Sequence, residues 1–75
     1  MIEGTVQRME WLRKYGTLNI TGEYGVIAEW KWQVHLDYGT QDTVFFYEYM
    51  RDLDAALAEM IGDVLAFQNR EGELT

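Results

Sequence analysis

Cysteine, proline and serine are absent from this chain of 75 residues. Without cysteine it can form neither disulfides nor thiolate metal sites, and both of the common covalent nucleophiles, serine and cysteine, are missing. The one histidine, His35, would need several carboxylate co-ligands to build a zinc site, which is an uncommon arrangement. These absences predict that the protein is not an enzyme and that it uses no cofactor or metal.

Long apolar runs are also missing. No segment approaches the roughly 20 apolar residues of a membrane-spanning helix, and Met1 leads into Glu3 and Gly4 rather than into the apolar stretch of a signal peptide. We therefore expect a cytoplasmic protein with no membrane partner. The length predicts a single domain over residues 1–75, whose small core is often supplemented in nature by a partner subunit.

Basic residues are scarce in the second half of the chain. The net charge is −7, with 13 acidic and 6 basic side chains. Residues 1–36 hold equal numbers of both signs, so the whole imbalance lies in residues 37–75. Such a distribution disfavours direct binding of nucleic acid and favours a protein partner with a basic surface. The alternative is that the acidity only keeps a small protein soluble.

The most regular pattern in the sequence is the alternation over residues 26–37. Because successive strand residues point to opposite faces, this pattern predicts a long half-buried strand with two tryptophans on its core face. Ile27 is the exception to the alternation. The residues assigned to the core face are Val26, Ala28, Trp30, Trp32, Val34 and Leu36.

Two further strands are predicted on either side of this one. Residues 16–21 alternate with Leu18 and Ile20 pointing inward, and residues 43–50 are rich in aromatic side chains. The intervening segments 22–25 and 38–42 are predicted turns, the first having glycine at both ends. Such short connections favour an antiparallel meander.

A helix is predicted to follow Asp52, whose side chain can cap its first turn. Its apolar stripe consists of Leu53, Leu57, Met60, Val64 and Phe67.

Residues 5–14 fit either a strand or a short helix; we favour the helix, capped by Thr5, with Val6, Met9 and Leu12 on one side. The predicted fold class is therefore α+β, a three-stranded antiparallel β-meander packed on a C-terminal α-helix, with a short N-terminal helix as the remaining element.

Candidate partner-binding residues come from two features. The third strand carries large side chains on both faces, so at least two of them are expected to face outward and to contact another chain. The alternative is that its tyrosines tolerate half-exposure or that the N-terminal segment covers them. Together with the acidic side chains of the C-terminal helix, the candidates are Phe46, Tyr47, Glu48, Tyr49, Asp52, Asp54, Glu59 and Asp63.

A row of small residues marks the side of the C-terminal helix opposite its apolar stripe. The row consists of Ala55, Ala58, Gly62 and Ala66, and small side chains allow a second backbone to approach closely. One interpretation is a homodimer contact, in which the same patch meets itself. The other is that alanine is simply a good helix former and that Gly62 is tolerated. The neighbouring acids count against a tight symmetric pair.

The leading hypothesis for function is a non-enzymatic, acidic protein-binding module. In size, acidity and compact α/β build the chain resembles many small phage-encoded proteins, including inhibitors of bacterial defence systems such as anti-CRISPR proteins. That resemblance implies a phage or mobile-element protein that inhibits a host defence or nucleic-acid-binding protein, in some cases by imitating nucleic acid. The alternative is a self-associating structural or accessory protein. An enzyme or ligand binder using His35 and Asp37 is the least favoured hypothesis.

Overall fold

A computed structural model describes residues 3–27, 29–38, 44–49 and 52–74, with 44–49 and 71–74 described by their backbone alone. The elements follow the order helix, three strands, helix. Because the helices are segregated from an antiparallel sheet, the α+β prediction is confirmed. Their bounds are α1 Thr5–Arg13, β1 Thr17–Tyr24, β2 Trp30–Asp37, β3 Val44–Tyr49 and α2 Leu53–Leu74.

The first helix, α1, confirms the helical interpretation of residues 5–14 but differs at its start. The N-cap is Gly4, with φ 83° and ψ 154°, so Thr5 is the first helical residue rather than the cap. Val6 was expected on the packed side and is instead 66% exposed. The reason is that the inward side of α1 runs through Met9 and Leu12, and Val6 lies about 100° of arc away from Thr5, which faces α2.

In the hairpin of β1 and β2, strand β1 extends further than the sequence predicts and strand β2 begins later. Antiparallel pairing runs from Thr17 opposite Asp37 to Tyr24 opposite Trp30. The predicted turn at 22–25 is therefore wrong, because residues 22–24 belong to β1. The predicted strand at 26–37 begins only at Trp30, because Val26 and Ile27 lie in a turn and the Gly25 N–H donates to the Glu29 carbonyl at 2.7 Å.

Gly22 has a different use from the one assigned to it. A Cβ at this position would overlap the indole ring of Trp30, which lies across β1 there. The glycine therefore permits close approach of a side chain within the sheet rather than a change of chain direction.

The third strand, β3, pairs antiparallel with β2, from Trp32 opposite Tyr49 to Asp37 opposite Val44, in the order β1-β2-β3. Helix α2 then begins at its predicted cap, since the Ala55 N–H donates to Asp52 Oδ1 at 3.1 Å. The Asp52 carbonyl accepts from the Ala56 N–H at 3.2 Å. One aspartate thus satisfies two groups of the first turn.

The core lies where the two helices cover the sheet. Contacts tie α1 to α2 near their first turns, through Arg8 and Asp54. At the other end Tyr15 stacks on Tyr38 at 6.1 Å and Phe67 meets Tyr38 edge-on at 5.3 Å. The helices therefore run side by side in the same direction. The buried side chains between them and the sheet are Leu12, Val34, Leu36, Ala56, Leu57, Met60, Ile61 and Val64.

Candidate protein-interaction site

The outer face of α2 is the side of this helix that points away from the core. At 100° per residue its exposed positions span roughly 160° of arc, with the exposed Leu65 at one margin. The face brings together all four of the predicted small residues and two of the predicted acids. We define the outer face of α2 by the exposed residues Ala55, Ala58, Glu59, Gly62, Asp63 and Ala66.

Gly62 lies in open space at the middle of this face. A Cβ added at Gly62 would meet no atom within 4 Å. Nothing in the described part of the molecule therefore requires glycine at this position, although glycine costs an exposed helix about 1 kcal/mol relative to alanine. No bulky side chain stands beside Gly62 along this row, because Ala58 and Ala66 have only methyl groups.

The charge of the outer face has one sign. No lysine or arginine occurs between Arg51 and Arg70 in the sequence. Glu59 and Asp63 are exposed one helical turn apart, and the exposed Asp52 adds a third carboxylate at the start of the helix. The charged side chains that α2 itself contributes to its outer face are therefore all acidic.

The side chain of Asp54 connects α2 to α1. Arg8 Nη1 lies 2.6 Å from each of its carboxylate oxygens, and Thr5 Oγ1 donates to Asp54 Oδ1 at 3.0 Å. The hydrogen bond from Arg8, followed by the one from Thr5, lowers the pKa of Asp54 below its ordinary value. Asp54 therefore joins α1 to α2, and its carboxylate is engaged within the fold.

The candidates on β3 remain predictions. The backbone register places Tyr49 opposite Trp32 and Tyr47 opposite Val34. The positions of the four side chains lie outside the described part of the structure.

The structure has a second exposed surface, which the sequence does not predict. The far end of the hairpin carries Tyr24, Val26, Ile27 and Trp30, which are 72%, 103%, 73% and 40% exposed. The Trp30 ring packs edge-on against Tyr24 at 5.0 Å and Trp32 at 5.4 Å. The alternation assigned Val26 and Trp30 to the core, whereas the structure leaves both exposed. The available signal was Ile27, whose break in the alternation marks the turn.

Neither a metal centre nor a membrane span is found in the described ranges. They contain no group of three or more histidine, cysteine, aspartate or glutamate residues that could hold a metal ion. In the same ranges, no helix is long and apolar enough to cross a membrane. No family model, curated protein or solved structure matches the chain.

Proposed function

We propose that this chain is a non-catalytic protein-binding module that docks through the outer face of α2 onto a basic surface of another protein. The observation that carries the proposal is the placement of Glu59 and Asp63 among small residues on one exposed helix face. Small residues let a partner approach the helix closely, and the acids then lie within reach of its lysine and arginine side chains. Charge-assisted hydrogen bonds of that kind are stronger than neutral ones.

The distribution of charge gives the partner its chemistry. The second half of the chain holds the whole net charge of −7, which would steer a basic protein toward α2 and raise its association rate at low salt. The same charge disfavours the alternative of a symmetric contact between two outer faces. In such a pair the exposed Glu59 and Asp63 of one copy would face the same acids of the other.

A narrower form of the proposal concerns what the basic surface normally binds. Where that surface is a nucleic-acid site, an acidic protein that occupies it acts as a competitive inhibitor. This is the mode of action implied by the resemblance to small phage-encoded inhibitors of bacterial defence. The compact size of the chain and the acids exposed along α2 support this form.

The test compares two double variants that remove the same amount of charge from different surfaces. A protein captured from a bacterial lysate at low salt is purified and titrated with the wild type, with Glu59→Gln/Asp63→Asn, and with Glu10→Gln/Glu23→Gln. Each exposed ion pair contributes up to about 1 kcal/mol, so the α2 variant should bind up to about 30-fold more weakly. The control changes exposed acids on α1 and β1 and should bind nearly as tightly as the wild type.

Two results would overturn the proposal. One is the absence of any captured protein at low salt, and the other is equal weakening by the two double variants, which would indicate bulk charge rather than a docking face. The narrower form is tested separately by competition. Nucleic acid should displace the chain from its purified partner, and simultaneous binding of both would exclude mimicry while leaving the docking face intact.

A further inference from the structure

The strand β1 forms an edge of the sheet, and its outer side is open in the described structure. Among the described strands, β1 pairs only with β2. Six of its eight residues are exposed, compared with two of eight in β2. An edge of this length offers a row of backbone donors and acceptors to another extended chain. It also lacks the lysines and prolines with which many proteins protect such an edge.

The hydrogen bond that closes the hairpin shows which backbone groups point outward. The Gly25 N–H donates to Glu29, and in an antiparallel ladder such pairs alternate along an unbroken register. The backbone groups of Thr17, Asn19, Thr21 and Glu23 therefore point toward β2. Those of Leu18, Ile20, Gly22 and Tyr24 point away from β2, toward the open edge.

We propose that β1 pairs antiparallel with β1 of a second copy of this chain, about a two-fold axis at Thr21. This register places Thr21 opposite itself, Ile20 opposite Gly22 and Leu18 opposite Tyr24. The residues brought into hydrogen-bonded pairs all have outward-pointing backbone groups. Two copies would then share one continuous sheet, and the open edge of each would be satisfied.

Side-chain complementarity favours this register over one centred on Ile20. Gly22 has no side chain, and the Trp30 indole covers its face of the sheet. Ile20 of the second copy would lie beside Gly22 and extend along the exposed part of that indole. Tyr24, which is 72% exposed, would pack beside Leu18 of the second copy. Centring on Ile20 would instead oppose two isoleucines and leave Tyr24 opposite Gly16.

The low charge of β1 favours a second copy over a basic protein as the occupant of this edge. Residues 1–36 have no net charge, and Glu23 is the only residue of β1 that carries a charge at neutral pH. In the proposed register Glu23 lies opposite the neutral Asn19, so no like charges meet. The contact also leaves the outer face of α2 unused. A dimer through β1 and a basic partner on α2 are therefore independent of each other.

The first experiment measures mass by sedimentation velocity for the wild type and two lysine variants. Thr21→Lys places two positive charges opposite each other at the axis and should convert the dimer to a monomer. Thr17→Lys adds the same charge at an exposed position on the same strand, away from its own copy, and should remain dimeric. Circular dichroism of both variants verifies that the hairpin still forms.

The second experiment uses the absence of cysteine from the chain. Opposed residues in a pair without hydrogen bonds have Cα atoms about 4.5 Å apart, which is within the range that a disulfide can span. Thr21→Cys should therefore form a covalent dimer on mild oxidation. Asn19→Cys and Thr17→Cys should form far less of it, because each is offset from its own copy.

Several outcomes would overturn the proposal. A wild type that sediments as a monomer up to submillimolar concentration would do so, as would a dimer that Thr21→Lys leaves intact. Preferential cross-linking of Asn19→Cys would contradict the register. None of these results bears on partner binding by α2, because the charge-neutralising variants of that helix do not alter β1.

Discussion

The two ends of the β1–β2 hairpin share one face of the sheet but have different environments. At the end near α2, Val34 and Leu36 are fully buried against Leu57 and Met60. At the far end, Trp30 and Tyr24 pack mainly on each other and remain exposed. Trp30, Val34 and Leu36 all follow the same alternation along β2. Position on the apolar face of a strand therefore does not by itself mean burial.

The two ends of the hairpin differ in burial because the helices cover only one of them. The described pairing of β3 ends at Trp32, and α2 begins shortly after this strand. Trp30 and the turn beyond it extend past that level, so the covered end supplies the packing and the far end offers free apolar surface. Exposed apolar clusters of this kind are typical of contact surfaces.

The largest expected effect separates the two ends by stability. Leu57→Ala removes a fully buried side chain and should lower the free energy of unfolding by about 2–5 kcal/mol, which is most of the stability of a small domain. Ile27→Ala changes an exposed side chain at the far end and should alter it by no more than about 0.5 kcal/mol. Urea unfolding followed by tryptophan fluorescence measures both.

A comparable loss in the two variants would contradict the comparison. It would mean that Ile27 packs against something in solution, and the oligomeric state of the variant would then identify a second copy as the source. Val6→Ala, at another exposed apolar position, is the matched control for the far-end variant.

The structural features that the sequence predicts correctly are those that depend on local patterns. The α+β class, the Asp52 cap and the buried positions Leu57, Met60 and Val64 follow from local patterns, and the structure confirms them. Each depends on residues within a turn or two of helix. Patterns of that kind are set by the period of the element and need no knowledge of its neighbours.

The errors concern contacts between distant parts of the chain. The turn was placed at 22–25 because Gly22 and Gly25 resemble turn residues, whereas Gly22 accommodates the Trp30 ring from the other strand. The ion pair between Asp54 and Arg8 of α1 is likewise not predicted from the sequence. Neither partner lies close in sequence, so no local pattern indicates it. Helical geometry alone brings Glu59 and Asp63 onto one face with the small residues, and their role in partner binding stays a prediction.

Gly16 and Gly22 test the comparison between the two ends of the hairpin, because Gly16 lies against backbone and Gly22 lies against a side chain. A Cβ at Gly16 would overlap the backbone carbonyl of Asp37, and one at Gly22 would overlap the Trp30 ring. Backbone at the covered end cannot yield easily, so Gly16→Ala should cost about 1–3 kcal/mol. The indole at the far end can rotate into solvent, so Gly22→Ala should cost less and should shift tryptophan emission to longer wavelength.

Gly25→Ala is the control for these variants, since its Cβ would meet only the flexible end of Lys31. It should change neither the emission nor the stability noticeably. A stability loss for Gly22→Ala as large as that for Gly16→Ala would show that the far end is packed as rigidly as the covered end.

The smallest expected effect concerns pH at the covered end, where Asp54 joins the two helices. Its pKa is lowered in the folded protein by the hydrogen bonds from Arg8 and Thr5, so the carboxylate form favours folding. This contribution is fully present above the ordinary carboxyl pKa of about 3.9 and is lost as the pH falls through the lower folded value. Asp54→Asn should therefore melt at a lower temperature than the wild type at neutral pH, and the two curves should converge in acid.

The matched control is Asp63→Asn, which changes an exposed aspartate of the same helix and should follow the wild type across the whole pH range. Because Trp11 lies on α1 and packs beside Tyr15, its signal should report loosening of that helix in acid before the hairpin tryptophans change. Parallel melting curves for Asp54→Asn and the wild type at every pH would show that the ion pair does not hold the helices together.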